Sequence, residues 1–368
     1  MIKIFHIADL HLGLSFRNLP EARATLFKAR YETLQKTVNQ ANELDADLFV
    51  IAGDLFEKIS LNVGDIQKAV KSINSFLGER ALVLPGNHDY ITPDSRLWDR
   101  FKKEAEEHVQ VLDTKEPLPL EIDDREIIVY PAPCHARHSD ENAIGWVEEL
   151  AKDEEAIQIG IAHGSIEGVS PDFDGRYYPM SIHELEQAGV DLWLMGHTHI
   201  TWPEKPGKRD IIFNPGTPEP DGFSCTHDGH AFLHTIDEQK HIETEIIHTG
   251  QYRFLKATEE IANLREVEKL ISTYTDDHWQ QKVLGLKVRG KVEQDVIDAW
   301  HEGRSKIRDS VLELRLDDSD VRLKVSKEQI HQEFSDGSFP EQLLSSFSDE
   351  NEEEELQVAY ELIKEVQQ

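Results

Sequence analysis

The sequence predicts an α/β fold built on a mainly parallel sheet. Three observations carry this reading. Short apolar runs of strand length alternate with amphipathic helical stretches, and most runs stop at a turn containing Gly, Asp, Asn or His. A hydrophobic content of 39% beside 30% charged residues fits a water-soluble globular chain. In an open α/β sheet, sites form beyond the carboxyl ends of the strands. The residues at those turns are therefore the ones to collect.

Residues 2–8 read as a strand ending in Asp9-Leu10-His11. Residues two apart on a strand point the same way, so Asp9 and His11 can converge. Residues 22–44 are helical, with Leu26, Ala29, Leu34, Val38, Ala41 and Leu44 as an apolar stripe. Residues 48–52 form a fully buried strand ending in Gly53-Asp54. Ile66, Val70, Ile73 and Leu77 mark a second helix. Residues 81–84 are the next strand, and Pro85-Gly86-Asn87-His88-Asp89 is its turn. A short amphipathic helix follows at 97–101. Residues 118–122 and 127–130 pair antiparallel around Asp123-Asp124. Pro131 and Pro133 then interrupt the pattern, and 146–152 is helical. The strand at 157–162 ends in His163-Gly164, and a helix follows at 182–188. The strand at 191–195 ends in Gly196-His197-Thr198-His199. Residues 211–213 lead into a turn at Asn214-Pro215-Gly216-Thr217, and 231–235 and 242–247 close the region as strands. His227, His230, His234, His241 and His248 lack carboxylates at motif spacing and read mostly as surface residues.

The pattern changes near residue 250. A helix at 264–274, a strand at 283–288, a helix at 292–307 and a strand at 311–316 make a small α/β unit without strand-end ligands. Residues 282–308 hold seven Lys/Arg against four Asp/Glu. Lys282, Lys287, Arg289 and Lys291 are candidates for DNA contact there, beside the plainer reading of a solvated mixed face. After 325, short helical stretches lead to an acidic run at 349–355, read as a linker. The final helix carries a stripe of Leu356, Ala359, Leu362, Ile363 and Val366 that docks on its own chain or on a partner. The expected segments are 1–250, 251–325 and 326–368.

Composition narrows the function. The formal net charge of −32 argues against non-specific attraction to DNA or an anionic membrane. No apolar run reaches the roughly 18 residues of a membrane span. The N-terminus has no signal-peptide anatomy, and the only two cysteines, Cys134 and Cys225, are no disulfide framework, so a reducing cytoplasm is expected.

Collected, the strand ends offer Asp9, His11, Asp54, Asn87, His88, His163, His197 and His199. Oxygen and nitrogen donors without thiolate suit manganese, iron or zinc. The set is too rich for one ion. Two divalent ions sharing a carboxylate fit it better, at the roughly 3.5–4 Å spacing of bimetallic phosphoesterases.

The order Asp9-x-His11, Gly53-Asp54, Gly86-Asn87-His88-Asp89, His163 and Gly196-His197-x-His199 resembles the calcineurin-like metallophosphoesterase superfamily, over about the first two hundred residues. The resemblance implies a two-sheet sandwich flanked by helices. It also implies one ion on Asp9, His11, Asp54 and His199, and another on Asp54, Asn87, His163 and His197. His88 would face the scissile phosphate as a cationic general acid or orient the leaving group, while Asp89 holds its ring. Further stretches are similar to the nuclease subunit of SbcCD-type DNA repair complexes, the SbcD family. They are Ile7-Ala8-Asp9-Leu10-His11-Leu12-Gly13, Phe49-Val50-Ile51-Ala52-Gly53-Asp54-Leu55-Phe56 and Asn214-Pro215-Gly216-Thr217-Pro218. Some relatives have a histidine shortly after the Gly-Asp motif, where this chain has Glu57. That resemblance implies manganese-dependent exonuclease and endonuclease activity in DNA double-strand break repair. It further implies a homodimer, a small α/β capping domain, and an SMC-like ATPase partner with long coiled coils that docks on the helical tail. The competing readings are a phosphodiesterase for small nucleotides or phosphoproteins, which has no use for the second domain and tail, and a non-enzymatic scaffold, which has no use for His88.

Overall fold

Strands that are apolar on both faces need cover on both sides, and the order of elements provides it. The computed structural model describes residues 1–349 and 353–367, apart from 151, 154 and 173. The chain divides into two units, Met1–Phe254 and Leu255–Gln368.

In the first unit, β1 (Ile2–Ile7), α1 (Arg23–Glu43), β2 (Leu48–Ala52), α2 (Val63–Asn74), β3 (Arg80–Leu84), α3 (Arg96–Glu104) and β4 (Val109–Val111) alternate as parallel strands and helices. Next come β5 (Leu118–Ile122), β6 (Arg125–Ala132), α4 (Gly145–Glu148), β7 (Ile157–His163), α5 (Ile182–Gln187), β8 (Leu192–Gly196), β9 (Thr201–Trp202) and β10 (Ile212–Pro215). The hairpin of β11 (His230–Ile236) and β12 (Ile242–His248) returns to the edge of β1. Two six-stranded sheets result, in the orders β12-β11-β1-β2-β3-β4 and β5-β6-β7-β8-β10-β9.

The period of two along each strand decides the layers. Phe5, Ile7, Phe49, Ile51 and Val83 face the helix side with Leu34, Val38, Ile66, Val70 and Phe101. Ile2, Ile4, Leu48, Val50, Leu82 and Leu84 turn the other way and meet Ile127, Val129, Ile159, Ile161, Leu192 and Leu194 of the second sheet. Ala162, Trp193 and Met195 on the far face of that sheet pack with Val147 and Leu185. The first unit is thus a two-sheet sandwich flanked by helices, as expected from the sequence.

Several expectations change locally. Leu77 is 83% exposed, because α2 ends at Asn74 and Leu77 lies beyond its stripe. Pro131 is inside β6, paired with Ile161. β5 reaches only as far as Val129, and proline is tolerated where a strand has lost one neighbour. Asp123 and Asp124 both have positive φ, as a two-residue hairpin turn of this hand requires. The helix expected at 146–152 is a single turn, and residue 151 lies outside the described residues. Asn214 and Pro215 are not turn but strand, paired with β9.

His234 is wholly buried rather than a surface residue, beside an equally buried His6. His6 Nε2 donates to the Met195 carbonyl at 3.1 Å. Its Nδ1 lies 3.5 Å from His234 Nε2, and His234 Nδ1 accepts from the Thr244 hydroxyl at 2.8 Å. Burial lowers both imidazoles, His6 to about 3, so both rings are neutral and the protons run one way. Folded values below the unfolded 6.5 mean that stability is full above about pH 6.5 and is lost as pH falls, by about 1.4 kcal/mol per unit for each ring. Urea midpoints of the full chain should therefore drop between pH 6.5 and 5. A His6→Phe, His234→Leu double variant should show a flatter drop, and an identical slope in both proteins would refute this account.

β13 (Arg253–Glu260), whose first two residues end the first unit, β14 (Lys282–Val292) and β15 (Glu313–Leu323) form a three-stranded sheet. α6 (Leu264–Tyr274) and α7 (Gln294–Ser310) complete it, and α7 connects the parallel pair β14 and β15. Their core holds Leu270, Leu284, Leu286, Val296, Trp300 and Ile307. α8 (Lys327–Glu333), α9 (Phe339–Asp349) and α10 (Glu353–Gln367) follow. Leu356 and Tyr360 of α10 pack on Ile330, Phe334 and Leu344, so one face of the last helix docks on its own chain. Val358, Leu362 and Val366 stay exposed. Residues 350–352 of the acidic run lie outside the described residues. Among the described residues, no helix is long and apolar enough to cross a membrane.

Candidate metal centre

The parallel registers Ile7↔Ile51 and Ala52↔Leu84 align the ends of β1, β2 and β3, and His163↔Gly196 aligns β7 with β8. The turns beyond these five strands bring all eight expected residues together. Asp9 and His11 converge, but not by strand parity. β1 stops at Ile7, and both residues adopt left-handed backbone, with φ of 57° and 45°. Asp54, His197 and His199 do the same. Such conformations cost of order 1–3 kcal/mol each and concentrate at functional sites. Two glycines make the close approach possible. A Cβ on Gly53, whose φ is +92°, would strike the His163 ring, and one on Gly86 would strike Asp54.

Two sets of donors meet at one carboxylate. In the first, His11 Nε2 is 2.9 Å from His199 Nε2 and 3.5 Å from Asp54 Oδ2. His199 Nε2 is 3.6 Å from Asp9 Oδ1. In the second, Asn87 Oδ1 lies 3.1 Å from His163 Nε2 and 3.0 Å from His197 Nδ1. His163 Nε2 is 3.3 Å from the same Asp54 Oδ2. The other oxygen, Asp54 Oδ1, accepts the His88 amide at 2.8 Å.

The hydrogen bonds behind the rings test whether cations fit. His11 Nδ1 donates to Glu57 at 3.0 Å, and His199 Nδ1 to Asp221 at 2.6 Å. His163 Nδ1 donates to the Ala52 carbonyl at 2.9 Å. With their Nδ1 protons so engaged, the neutral rings aim Nε2 lone pairs at one another and at carboxylates. That arrangement is repulsive unless a positive charge lies between them, so the donor set fits divalent ions. The titration behaviour shows the same demand for positive charge, met by protons on two of the rings when no cation lies between them. Burial opposes charge on His163 and His199, yet Asp54 and Asp9 raise them to about 9. Burial would raise Asp54, but His163, His11 and His88 hold it below the carboxylate range. Asp9 is raised, chiefly by burial. His197 is pushed down to about 3 by burial and by His163.

His88 stands beside both sets, its ring edge-on to His11 with centroids 4.7 Å apart. Its Nδ1 donates to the Glu57 carbonyl at 3.1 Å, with the Glu57 carboxylate 3.8 Å away. Burial holds His88 below the ordinary imidazole value, so the free protein carries it uncharged at neutral pH rather than cationic. Asp89 is not the residue that holds this ring. Its buried carboxylate accepts the Gly86 and Phe56 amides at 2.7 and 2.9 Å, tying the β3 turn to the segment after Asp54. Burial and the charge of Asp54 push it up to about 8.

Glu57 and Asp221 take roles that the sequence reading does not assign. Asp221 follows Pro218-Glu219-Pro220, just past a quoted motif, and its acidic type in a proline-rich turn was the available signal. Asn214 is a third. Buried, it donates to the Thr198 hydroxyl between the two histidines at 2.9 Å. Of the residues expected to face DNA, Lys287 lies 3.4 and 3.0 Å from Asp317 and Asp320. Lys282 stacks over Trp279 at 4.2 Å, while Arg289 and Lys291 are exposed on β14. Carboxylates across the ladder thus offset part of the positive charge on β14.

Comparison with known proteins places this geometry. Residues 2–201 match the family described as calcineurin-like phosphoesterase. The chain is similar to the DNA double-strand break repair protein Mre11 of Methanopyrus kandleri, at 21% identity over 357 residues, covering 90% of this chain and 72% of that protein. It is also similar to the uncharacterized metallophosphoesterase YhaO of Bacillus subtilis, at 25% identity over 206 residues. That match covers 54% of this chain, which spans about half (48%) of the relative's length. Among solved structures, TT1561 of Thermus thermophilus aligns at 13% identity over 66% of this chain and 98% of its own, with a TM-score of 0.38.

Proposed function

The chain belongs to the calcineurin-like phosphoesterase family, a family of metal-dependent hydrolases, and from that premise we propose that it is an SbcD-type DNA nuclease. The reading is a manganese-dependent exonuclease and endonuclease in double-strand break repair, cytoplasmic, homodimeric, and working with an SMC-like ATPase. The observation that supports phosphodiester chemistry best is the single Asp54 oxygen facing two donor sets. The likeness to an Mre11 protein supports DNA as the substrate.

In this reading Asp9, His11, Asp54 and His199 hold one ion, and Asp54, Asn87, His163 and His197 the other. When bound, the ions neutralise the phosphodiester oxygens and lower the pKa of a water so that hydroxide exists near neutral pH. Glu57 and Asp221 fix the tautomers of His11 and His199 from behind. The Glu57 carbonyl orients His88 and leaves its Nε2 available to the leaving oxygen. An anionic phosphodiester beside His88 raises its pKa, so the ring can take up a proton and pass it to the departing alkoxide. The residues from 255 on would cap the DNA, with Lys282, Lys287, Arg289 and Lys291 as contacts. The exposed apolar side of α10 would receive the ATPase.

With a net charge of −32, the isolated chain should hold DNA weakly, and raising salt from 50 to 200 mM should weaken it further. The deciding assay gives the purified chain manganese with linear DNA, circular DNA and a small phosphodiester. Cleavage of both DNAs is expected. Cleavage of the small ester alone would replace this reading with a small-substrate phosphodiesterase, and tight DNA binding at high salt would contradict the charge argument.

A further inference from the structure

The apolar stripe of α1 is interrupted by an arginine. Arg30 is fully buried, a position that arginine rarely takes without a dedicated partner set. Its guanidinium forks. Nε donates to the Leu10 carbonyl at 2.7 Å, and Nη1 donates to the Glu219 carbonyl at 3.1 Å. Nη2 is buried without a hydrogen-bond partner among the described residues. The Phe16 ring lies 5.9 Å from the guanidinium carbon.

Both carbonyls belong to segments that carry the first donor set. Leu10 sits between Asp9 and His11, the two residues held at positive φ. Glu219 is two residues before Asp221, whose carboxylate orients His199. The prolines on either side of Glu219 stiffen that segment, so fixing Glu219 fixes Asp221. The Glu219 carboxylate is itself a buried hub. It accepts from the Thr33 hydroxyl, one turn along α1 from Arg30, and from the Gln251 and Tyr252 amides. One helix therefore grips both sides of the gap across which His11 and His199 face each other at 2.9 Å. The second donor set has anchors of its own, besides the His197 amide, which donates to the Asp9 carboxylate at 2.8 and 3.0 Å. His163 is tied to the Ala52 carbonyl, and the Asn87 amide lies 3.4 Å from the Arg137 carbonyl.

We propose that Arg30 is a positioning residue that braces the Asp9–His11–His199 set far more than the Asn87–His163–His197 set, so the two ion positions, although they share Asp54, can be weakened unequally. This rests on the two-metal reading above.

The test is a manganese titration of the full chain by calorimetry and electron paramagnetic resonance. Wild type is compared with Arg30→Met and with His163→Ala as the reference for the other set. Wild type should bind two ions with an exchange-coupled signal. Arg30→Met should weaken one binding step by about 10- to 100-fold, the range seen when support behind a metal ligand is removed, and the other step by much less. Its signal should be that of an isolated ion. The Arg30→Met, His163→Ala double variant should bind neither ion tightly. Equal weakening of both steps, or none, overturns the brace. A wild type that binds fewer than two ions overturns the two-metal reading instead. If circular dichroism shows Arg30→Met unfolded, Arg30→Lys carries the same comparison, since it keeps the buried charge but cannot form both divergent bonds.

Discussion

Asp54→Ala is expected to remove both ions together and to lower phosphodiester hydrolysis by about 10³-fold or more. The size follows from the several kcal/mol that bound cations contribute to a developing phosphoryl charge, at a factor of ten per 1.4 kcal/mol. The direction follows from geometry. Asp54 Oδ2 lies within 3.5 Å of both His11 Nε2 and His163 Nε2. Its partner oxygen holds the His88 amide, so the alanine variant also loosens the turn that carries His88. Asp54→Asn separates the two effects, since its amide oxygen can still accept that amide while the negative charge is gone. Elemental analysis after dialysis against manganese should give close to zero ions per chain for Asp54→Ala. One firmly held ion with substantial activity would show that the two donor sets do not depend on a shared carboxylate.

His88→Ala should behave in the opposite way towards metal. No donor set needs its ring, so both ions should stay bound, while the rate falls by about 10²–10⁴-fold, the range for losing a positioned acid or base. The contrast carries the argument. A residue that only stabilised the fold would lower metal content and activity in parallel. A phosphodiester with a very acidic leaving group should be cleaved almost normally by His88→Ala, because an alkoxide that leaves easily needs no proton. Full activity on ordinary DNA would exclude His88 from handling the leaving oxygen.

The ends of the strands could be read from residues because their chemistry is out of place there. An imidazole or carboxylate after a buried apolar run is conspicuous, and Gly53, Gly86 and Gly196 flag turns that need close backbone approach. Asp9 and His11 are neighbours as expected at the frayed end of β1, and left-handed backbone rather than strand alternation brings them together. His234 is buried where a surface residue is expected, although the sequence carries a signal for it. It stands two residues from Phe232 on β11, so both face the space between the sheets. The roles of Asp221, Glu57 and Arg30 are hard to read from sequence for a different reason. Their roles arise from contacts such as Arg30 with Glu219, made across 189 positions of sequence. No local period encodes such pairs. The sequence points to Asp89, the next residue, as the acidic partner of His88, whereas the fold delivers Glu57 from the loop after β2.

Each donor set draws on both sheets of the sandwich. Asp9, His11, Asp54 and Asn87 leave the first sheet, and His163, His197 and His199 leave the second. Ions held by these residues would act as rivets through the rim of the sandwich. By mass action, their concentration and the cohesion of the two sheets become one thermodynamic quantity. A cell that withholds the metal would then weaken this protein's architecture along with its chemistry.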